Sequence, residues 1–319
     1  MRPDAIKVGF IGAGRRATSA HYPAVARIAD ARINAICDLD ADRLRQTADR
    51  YGVEGRYTDH RQMLEHADLD AVYIIMAPQL YLPLILNCLS AGKHVFVEKP
   101  PAMSVRDLET MIEAAQRRRR LTAVCFQRRL AAVTQEIRRQ VLARGPVTLC
   151  LGAFHKNLLS DAGPGYGFST LHDDIVHAVD FVCYMCGGEA VEVHAFQDRL
   201  FASWKNSYNA LVRFDNGAVG MISGNRASGG RVLRFEVHGR GIGAYIDMPS
   251  RAEILVDNPK APTVLTGAEL VGSTDEQDYE GTLAVHRDFI DSIRLNRATL
   301  TSFETCLSTM RLVERMEGE

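Results

Sequence analysis

Apolar positions in the first part of the chain recur in short, dense runs separated by helix-spaced segments. Residues 6–11 read as a buried strand, and the glycine-rich stretch 12–17 leads into a helix ending near residue 29. Residues 32–37 read as a second strand, 40–51 as a helix stopped by Gly52, and 71–76 as a third strand. A helix over 80–90, a strand over 94–97, a helix over 104–120 with Ser104 as its N-cap, and a strand over 121–126 complete the series. Strands alternating with helices predict βαβ units, hence a parallel sheet covered on both faces.

Near residue 125 the pattern changes. A strand over 147–154 and a glycine-rich loop over 158–169 precede a helix whose apolar positions fall at 175, 176, 179, 182 and 185. Strands then follow one another at 191–197, 208–214, 218–224, 231–238, 243–248 and 252–256, with Asp215-Asn216-Gly217 as a hairpin turn. This succession predicts a large, mostly antiparallel sheet, closed by helices over 286–296 and 302–317. The fold class expected is a Rossmann-type α/β domain over 1–125 followed by an α+β domain over 126–319.

The 319 residues suit two domains, and 46% hydrophobic residues suit two buried cores. Lys+Arg 38 against Asp+Glu 39 gives a net charge of -1, which removes any overall drive toward nucleic acid or an anionic membrane. No apolar run is long enough for a membrane span, and the start of the chain lacks an apolar signal core. Seven cysteines, an odd number with only Cys183 and Cys186 close together, argue against a disulfide framework. A cytoplasmic location is the expectation.

The first chemistry-bearing motif is Gly12-Ala13-Gly14-Arg15-Arg16-Ala17, which fits G-x-G-x-x-G/A between a strand and a helix. Gly12 permits a tight turn, Gly14 permits close approach to a pyrophosphate, and Ala17 permits close helix packing. Arg15 and Arg16 oppose the helix dipole, a conflict that a bound pyrophosphate would relieve. Asp38 ends the next strand, where a carboxylate accepts from ribose hydroxyls and repels a 2′-phosphate. NAD is the expected cofactor, while Arg43 and Arg45 leave NADP open. Asp38, Asp40 and Asp42 imitate the start of a calcium loop, but Arg43 occupies the position that needs glycine.

The string Ala91-Gly92-Lys93-His94-Val95-Phe96-Val97-Glu98-Lys99-Pro100 is more specific. With Gly12-Ala13-Gly14 and His21-Tyr22-Pro23, it resembles the Gfo/Idh/MocA oxidoreductases. That resemblance implies a dinucleotide domain joined to an open-faced sheet domain, with hydride transfer at a secondary hydroxyl of a sugar or polyol. It implies that Lys99 hydrogen-bonds the reacting hydroxyl, and that Ala77, Glu98 and Lys99 belong to the cofactor site. Asp173, His177 and Asp180 fall on the family's D-x-G-x-H-x-x-D pattern, with Ile175 in place of glycine. His177 is the expected acid/base and Asp173 its neighbour on one helical face. The two halves are thereby expected to contribute to one site.

Other positions depart from the family. Met76-Ala77 replaces Thr-Pro, Tyr81 replaces a histidine, and Gln127 replaces an asparagine before Arg128 and Arg129. Arg128, Tyr166 and Phe168 are candidate substrate contacts. No metal is expected, because His172, Asp173, His177 and Asp180 lack a ligating spacing. Cys183 and Cys186 lie inside an apolar helix and read as packing. A non-catalytic nucleotide-bound sensor and an NAD-dependent glycosidase are the alternative functions. The open sheet face that the resemblance implies would be costly if left exposed, so the resemblance implies a homodimer or homotetramer.

Overall fold

The computed structural model describes residues 5–159 and 167–318. Two compact units emerge: Met1–Cys125 with Thr282–Cys306, and Phe126–Gly281 with Leu307–Glu319.

In the first unit, the six strands are β1 (Ile6–Ile11), β2 (Ala31–Cys37), β3 (Gly55–Tyr57), β4 (Ala71–Ile74), β5 (His94–Val97) and β6 (Thr122–Val124). All pair in parallel, in the order β3-β2-β1-β4-β5-β6. The order reverses beside β1, which opens a crevice at the carboxyl ends of the strands. Strand β3 and the helix His60–His66 escape the sequence pattern. A three-residue Gly-Arg-Tyr edge strand has too few apolar positions to show a period of two.

The core of this unit is a run of aromatic rings. Phe10 stacks on Tyr22 at 4.1 Å and on Tyr73 at 4.8 Å, and Tyr73 meets Phe96 at 4.7 Å. The helix Thr282–Leu295 lays His286 and Phe289 on Tyr73 and Phe96. Three hydrogen bonds tie the following segment to β6: Val124 N–H to the Thr301 carbonyl at 2.8 Å, Thr299 Oγ1 to the Thr122 carbonyl at 2.6 Å, and Phe303 N–H to Thr122 Oγ1 at 3.1 Å. Residues 282–306 therefore lie in the first unit, whereas the sequence places everything after 125 in the second. The face formed by Val285, His286, Phe289 and Ile290 is buried, with the rings of His286 and Phe289 lying on Tyr73 of β4 and Phe96 of β5.

The second unit holds β7 (Leu149–Asn157), β8 (Ala190–Asp198), β9 (Ser207–Phe214), β10 (Val219–Asn225), β11 (Ala227–Gly239), β12 (Ile242–Asp247), β13 (Arg251–Val256) and β14 (Thr263–Thr266). Their order is β14-β13-β12-β11-β7-β10-β9-β8. Every pair is antiparallel except β7 with β10. The helix Val176–Cys186 is buried at every position but Tyr184, Cys183 and Cys186 included.

Glycines let this helix settle on the sheet. A Cβ on Gly220 would stand 2.7 Å from Val182, and one on Gly224 would stand 2.3 Å from Ile175 Cδ1. Ile175 thus fills the space over a bare strand, which gives a packing reason for an isoleucine at that position. The opposite sheet face is a shallow depression of about 380 Å³ with Phe196, Leu211 and Met221 in its lining. Those three side chains are exposed.

Below the helix, Arg129 makes a fork with Asp180, Nε to Oδ2 at 2.9 Å and Nη2 to Oδ1 at 2.5 Å. Thr309 Oγ1 donates to Asp180 Oδ1 at 3.0 Å, and both charged side chains are buried. Removing one partner strands the other charge in a desolvated place. Asp180→Ala is expected to lower unfolding free energy by about 3–5 kcal/mol in urea titration. An unchanged midpoint would show that Asp180 does not hold the helix.

Candidate active site

The turn after β1 is shaped by Gly12. Its φ is +106°, its N–H donates to the Cys37 carbonyl at 2.8 Å, and a Cβ would lie 2.4 Å from the Ile75 carbonyl oxygen. Only glycine fits that conformation and clearance. Gly14 is different, because a Cβ there would approach nothing closer than Arg43 Nη1 at 3.8 Å. Protein packing does not demand glycine at 14, so the bare backbone faces open space where a ligand can come close.

That space is a cavity of about 880 Å³ whose lining includes Gly12, Gly14, Asp38, Arg43, Met76 and Ala77. Its size falls within the usual range for cofactor sites. Asp38 is fixed at its edge, with Oδ2 accepting from Ala13 N–H at 2.7 Å and Oδ1 from Asp40 N–H at 2.9 Å. Arg43 Nη2 donates to Asp40 at 2.9 Å, and its Nε stands 3.9 Å from Asp38. A carboxylate held rigidly beside a glycine turn, with apolar walls alongside, suits a dinucleotide's ribose and adenine. Tyr81, at the departure from the family histidine, is fully buried.

The end of β5 carries the next group. Glu98 is buried, with Oε1 accepting from Arg16 Nε and from His21 Nε2, the latter at 2.9 Å, while Oε2 accepts from Lys99 N–H at 2.9 Å. His21 Nδ1 lies 3.2 Å from His286 Nε2. With His21 Nε2–H given to the carboxylate, His21 Nδ1 accepts and His286 Nε2–H donates. Burial alone would raise the Glu98 pKa, but Arg16, His21 and Lys99 outweigh it and hold the carboxyl well below its usual range. Burial pushes both histidines down, His286 strongly.

Glu98 and Arg16, expected to touch cofactor, thus meet each other, while Arg15 is exposed. Cys125 also lies close to His21 and Glu98. Both His21 ring nitrogens are already engaged, so this group reads as a hydrogen-bond network and not as a metal centre.

In the second unit, a wide turn at Leu171–Ile175 runs into the helix Val176–Cys186. It presents Asp173 and Asp174 half-buried and His177 buried, with the His177 ring edge-on to Phe126 at 6.1 Å. His172 is committed elsewhere, with Nδ1 3.1 Å from Ser169 Oγ and 3.3 Å from Glu317. Arg128 donates to Glu280 Oε2 at 3.2 Å and is nearly buried. Phe168 is half-buried, and Tyr166 lies outside the described residues.

Two cations beside Asp174 have no counterpart in the sequence reading. Lys156 pairs with Asp174, and Arg226 Nη2 stands 3.7 Å from Asp174 Oδ2. Each follows a strand's apolar run in an ordinary polar position, so only the pairing of β7 with β10 reveals their proximity.

A parallel six-stranded sheet with a glycine turn after β1 and an acidic residue after β2 defines a dinucleotide-binding α/β protein. Residues 6–126 match the oxidoreductase family model described as an NAD-binding Rossmann fold, and residues 147–242 match the GFO/IDH/MocA C-terminal domain. The chain belongs to the Gfo/Idh/MocA family of NAD-binding oxidoreductases. It is similar to the myo-inositol 2-dehydrogenase of Thermotoga maritima, 28% identical over 86% of this chain and 80% of that one. It is also similar to the D-glucoside 3-dehydrogenase of Escherichia coli, 29% identical over 69% of this chain and 70% of that one. A solved dehydrogenase from Chromobacterium violaceum shares the fold at a TM-score of 0.89, with 22% identity, 99% of this chain and 95% of that one covered.

The buried histidines have a consequence for stability. Below about pH 6.5 the unfolded chain takes up protons on His21 and His286 while the folded chain resists, so stability falls as pH falls. The urea midpoint is expected to drop between about pH 7.5 and about pH 5.5, and to drop less in His286→Phe. Equal drops in both proteins would contradict the buried, neutral pair.

Proposed function

We propose that the protein is an NAD-dependent dehydrogenase or reductase acting on a secondary alcohol or ketone of a sugar, polyol or related cyclic compound. The observation that carries this reading is the cavity beside Gly14, with Asp38 locked at its edge. Gly12 and Gly14 admit the pyrophosphate, and Asp38 receives ribose hydroxyls and disfavours a 2′-phosphate. Ala77, exposed on the cavity wall, adjoins the nicotinamide half.

The bound nicotinamide supplies the hydride acceptor. Lys99, its backbone N–H fixed by Glu98, donates to the carbinol oxygen and favours alkoxide character there. His177 takes the hydroxyl proton on an imidazole nitrogen as the carbonyl forms, and returns it in the reverse direction. Asp173 orients the substrate beside it. Arg15 and Arg16 add positive charge near the pyrophosphate, while Arg128, Tyr166 and Phe168 are the candidate substrate contacts.

The relatives' names, a myo-inositol and a D-glucoside dehydrogenase, support the substrate class. The exposed Phe196, Leu211 and Met221 support a homodimer or homotetramer formed through the open face. Seven cysteines, all outside disulfides and buried, suit a reducing cytoplasm.

The test is NADH formation across a panel of sugars, polyols and their oxidised forms. On the best substrate, Lys99→Ala and His177→Ala are each expected to lower kcat by about 100-fold or more. Full rates in both variants would sink the assignment. Asp38→Ala is expected to raise the KM for NAD by about tenfold and narrow the preference over NADP. An unaltered NAD to NADP ratio would remove Asp38 from cofactor selection.

A further inference from the structure

The most conspicuous unmet chemistry in the described chain is an arginine. Arg226 follows β10 and is fully buried, and its Nη1 donates to the Phe154 carbonyl at 2.9 Å. Its Nε and Nη2 have no hydrogen-bond partner among the described residues. These two atoms form one edge of the guanidinium, the edge whose parallel N–H groups fit the two oxygens of a carboxylate. Leaving a buried donor unmet forfeits its hydration with nothing in return. An unoccupied fork inside a folded protein is therefore expensive unless something fills it.

The surroundings add charge of the same sign. Arg226, Lys156 and Arg231 stand over the ring of Phe154, at 5.0, 5.2 and 5.6 Å from its centroid. Asp174 is the nearby carboxylate, but Lys156 already binds its Oδ2, and the 3.7 Å to Arg226 Nη2 exceeds a hydrogen bond. Burial presses the Arg226 pKa down, and Asp174 and Asp173 only partly offset it. Three cations thus gather next to the turn that presents Asp173 and Asp174 and leads to His177, all within the second unit.

We propose that the substrate is a polyhydroxy acid whose carboxylate is received by the Nε and Nη2 edge of Arg226, with Lys156 and Arg231 drawing the anion in. This rests on the dehydrogenase reading above and narrows it from sugars and polyols to their acids. A carboxylate fits better than a neutral hydroxyl, because it supplies two coplanar acceptors for the paired N–H groups and negative charge beyond that of Asp174, which Lys156 already shares. Lys156 and Arg231 keep partial contact with solvent, where they raise the local concentration of anions.

The experiment is calorimetric titration of the NADH-loaded protein with D-gluconate and D-glucuronate, and with D-glucitol and D-glucose as their neutral counterparts. The acids are expected to bind at least about tenfold more tightly than the neutral compounds. Lys156→Met, at a partly exposed position, is expected to weaken the acids by about three- to tenfold and leave the neutral compounds unchanged. Arg226→Lys keeps the charge but loses the fork, and is expected to weaken the acids by about tenfold or more. Thermal melting and NADH binding establish that each variant is folded, and Lys156→Met carries the test if Arg226→Lys is not.

Equal affinity for acids and neutral compounds would overturn the proposal, as would acid binding indifferent to Lys156→Met. The readout is binding, so acids that bind tightly without any NADH formation from NAD would support the anion site while contradicting the dehydrogenase reading.

Discussion

A single buried carboxylate organises the first unit. Glu98 sits at the end of β5 and would be costly there if left bare. Donors from three directions meet it: Arg16 from the glycine-turn segment, His21 from the turn that continues it, and the backbone N–H of Lys99. His286 extends the chain by donating to His21, which brings the closing helix into the same network. One side chain therefore holds the dinucleotide turn, the lysine loop and a segment nearly two hundred residues downstream in fixed relation. Glu98, His21 and His286 are all buried, and burial strengthens each polar contact among them.

This network explains why some residues were legible in the sequence and others were not. Gly12, Gly14 and Asp38 announce themselves, because a phosphate-binding turn imposes local backbone demands that only certain residues meet. The β-α alternation is equally local. By contrast, nothing local to Arg16 announces that it also meets Glu98 across 82 positions. His286 reads as one more polar residue in a helix. Its ring becomes informative only when it lies on Phe96 at 4.7 Å. The membership of 282–306 in the first unit was hidden for the same reason.

The second unit shows a similar division. The strand succession and the helix over Val176–Cys186 follow from periodicity, and the seven-residue register of β7 with β10 does not. That parallel pairing brings Lys156 and Arg226 to the same end of the sheet as Asp174. It also exposes Gly224 to Ile175, so a departure from the family pattern becomes a packing solution. Asp180, aligned with a family motif, is held by Arg129 and Thr309 in the interior.

The central claim is that the chain moves a hydride between a carbinol carbon and a nicotinamide. Its most direct test is isotopic. A substrate carrying deuterium on the reacting carbon is incubated with the protein and NAD, and the reduced cofactor is analysed by mass spectrometry. The account predicts NADH that carries the deuterium on the nicotinamide ring, with a rate slowed by the heavier isotope. Oxidised substrate accompanied by unlabelled NADH, or label released into water, would contradict it.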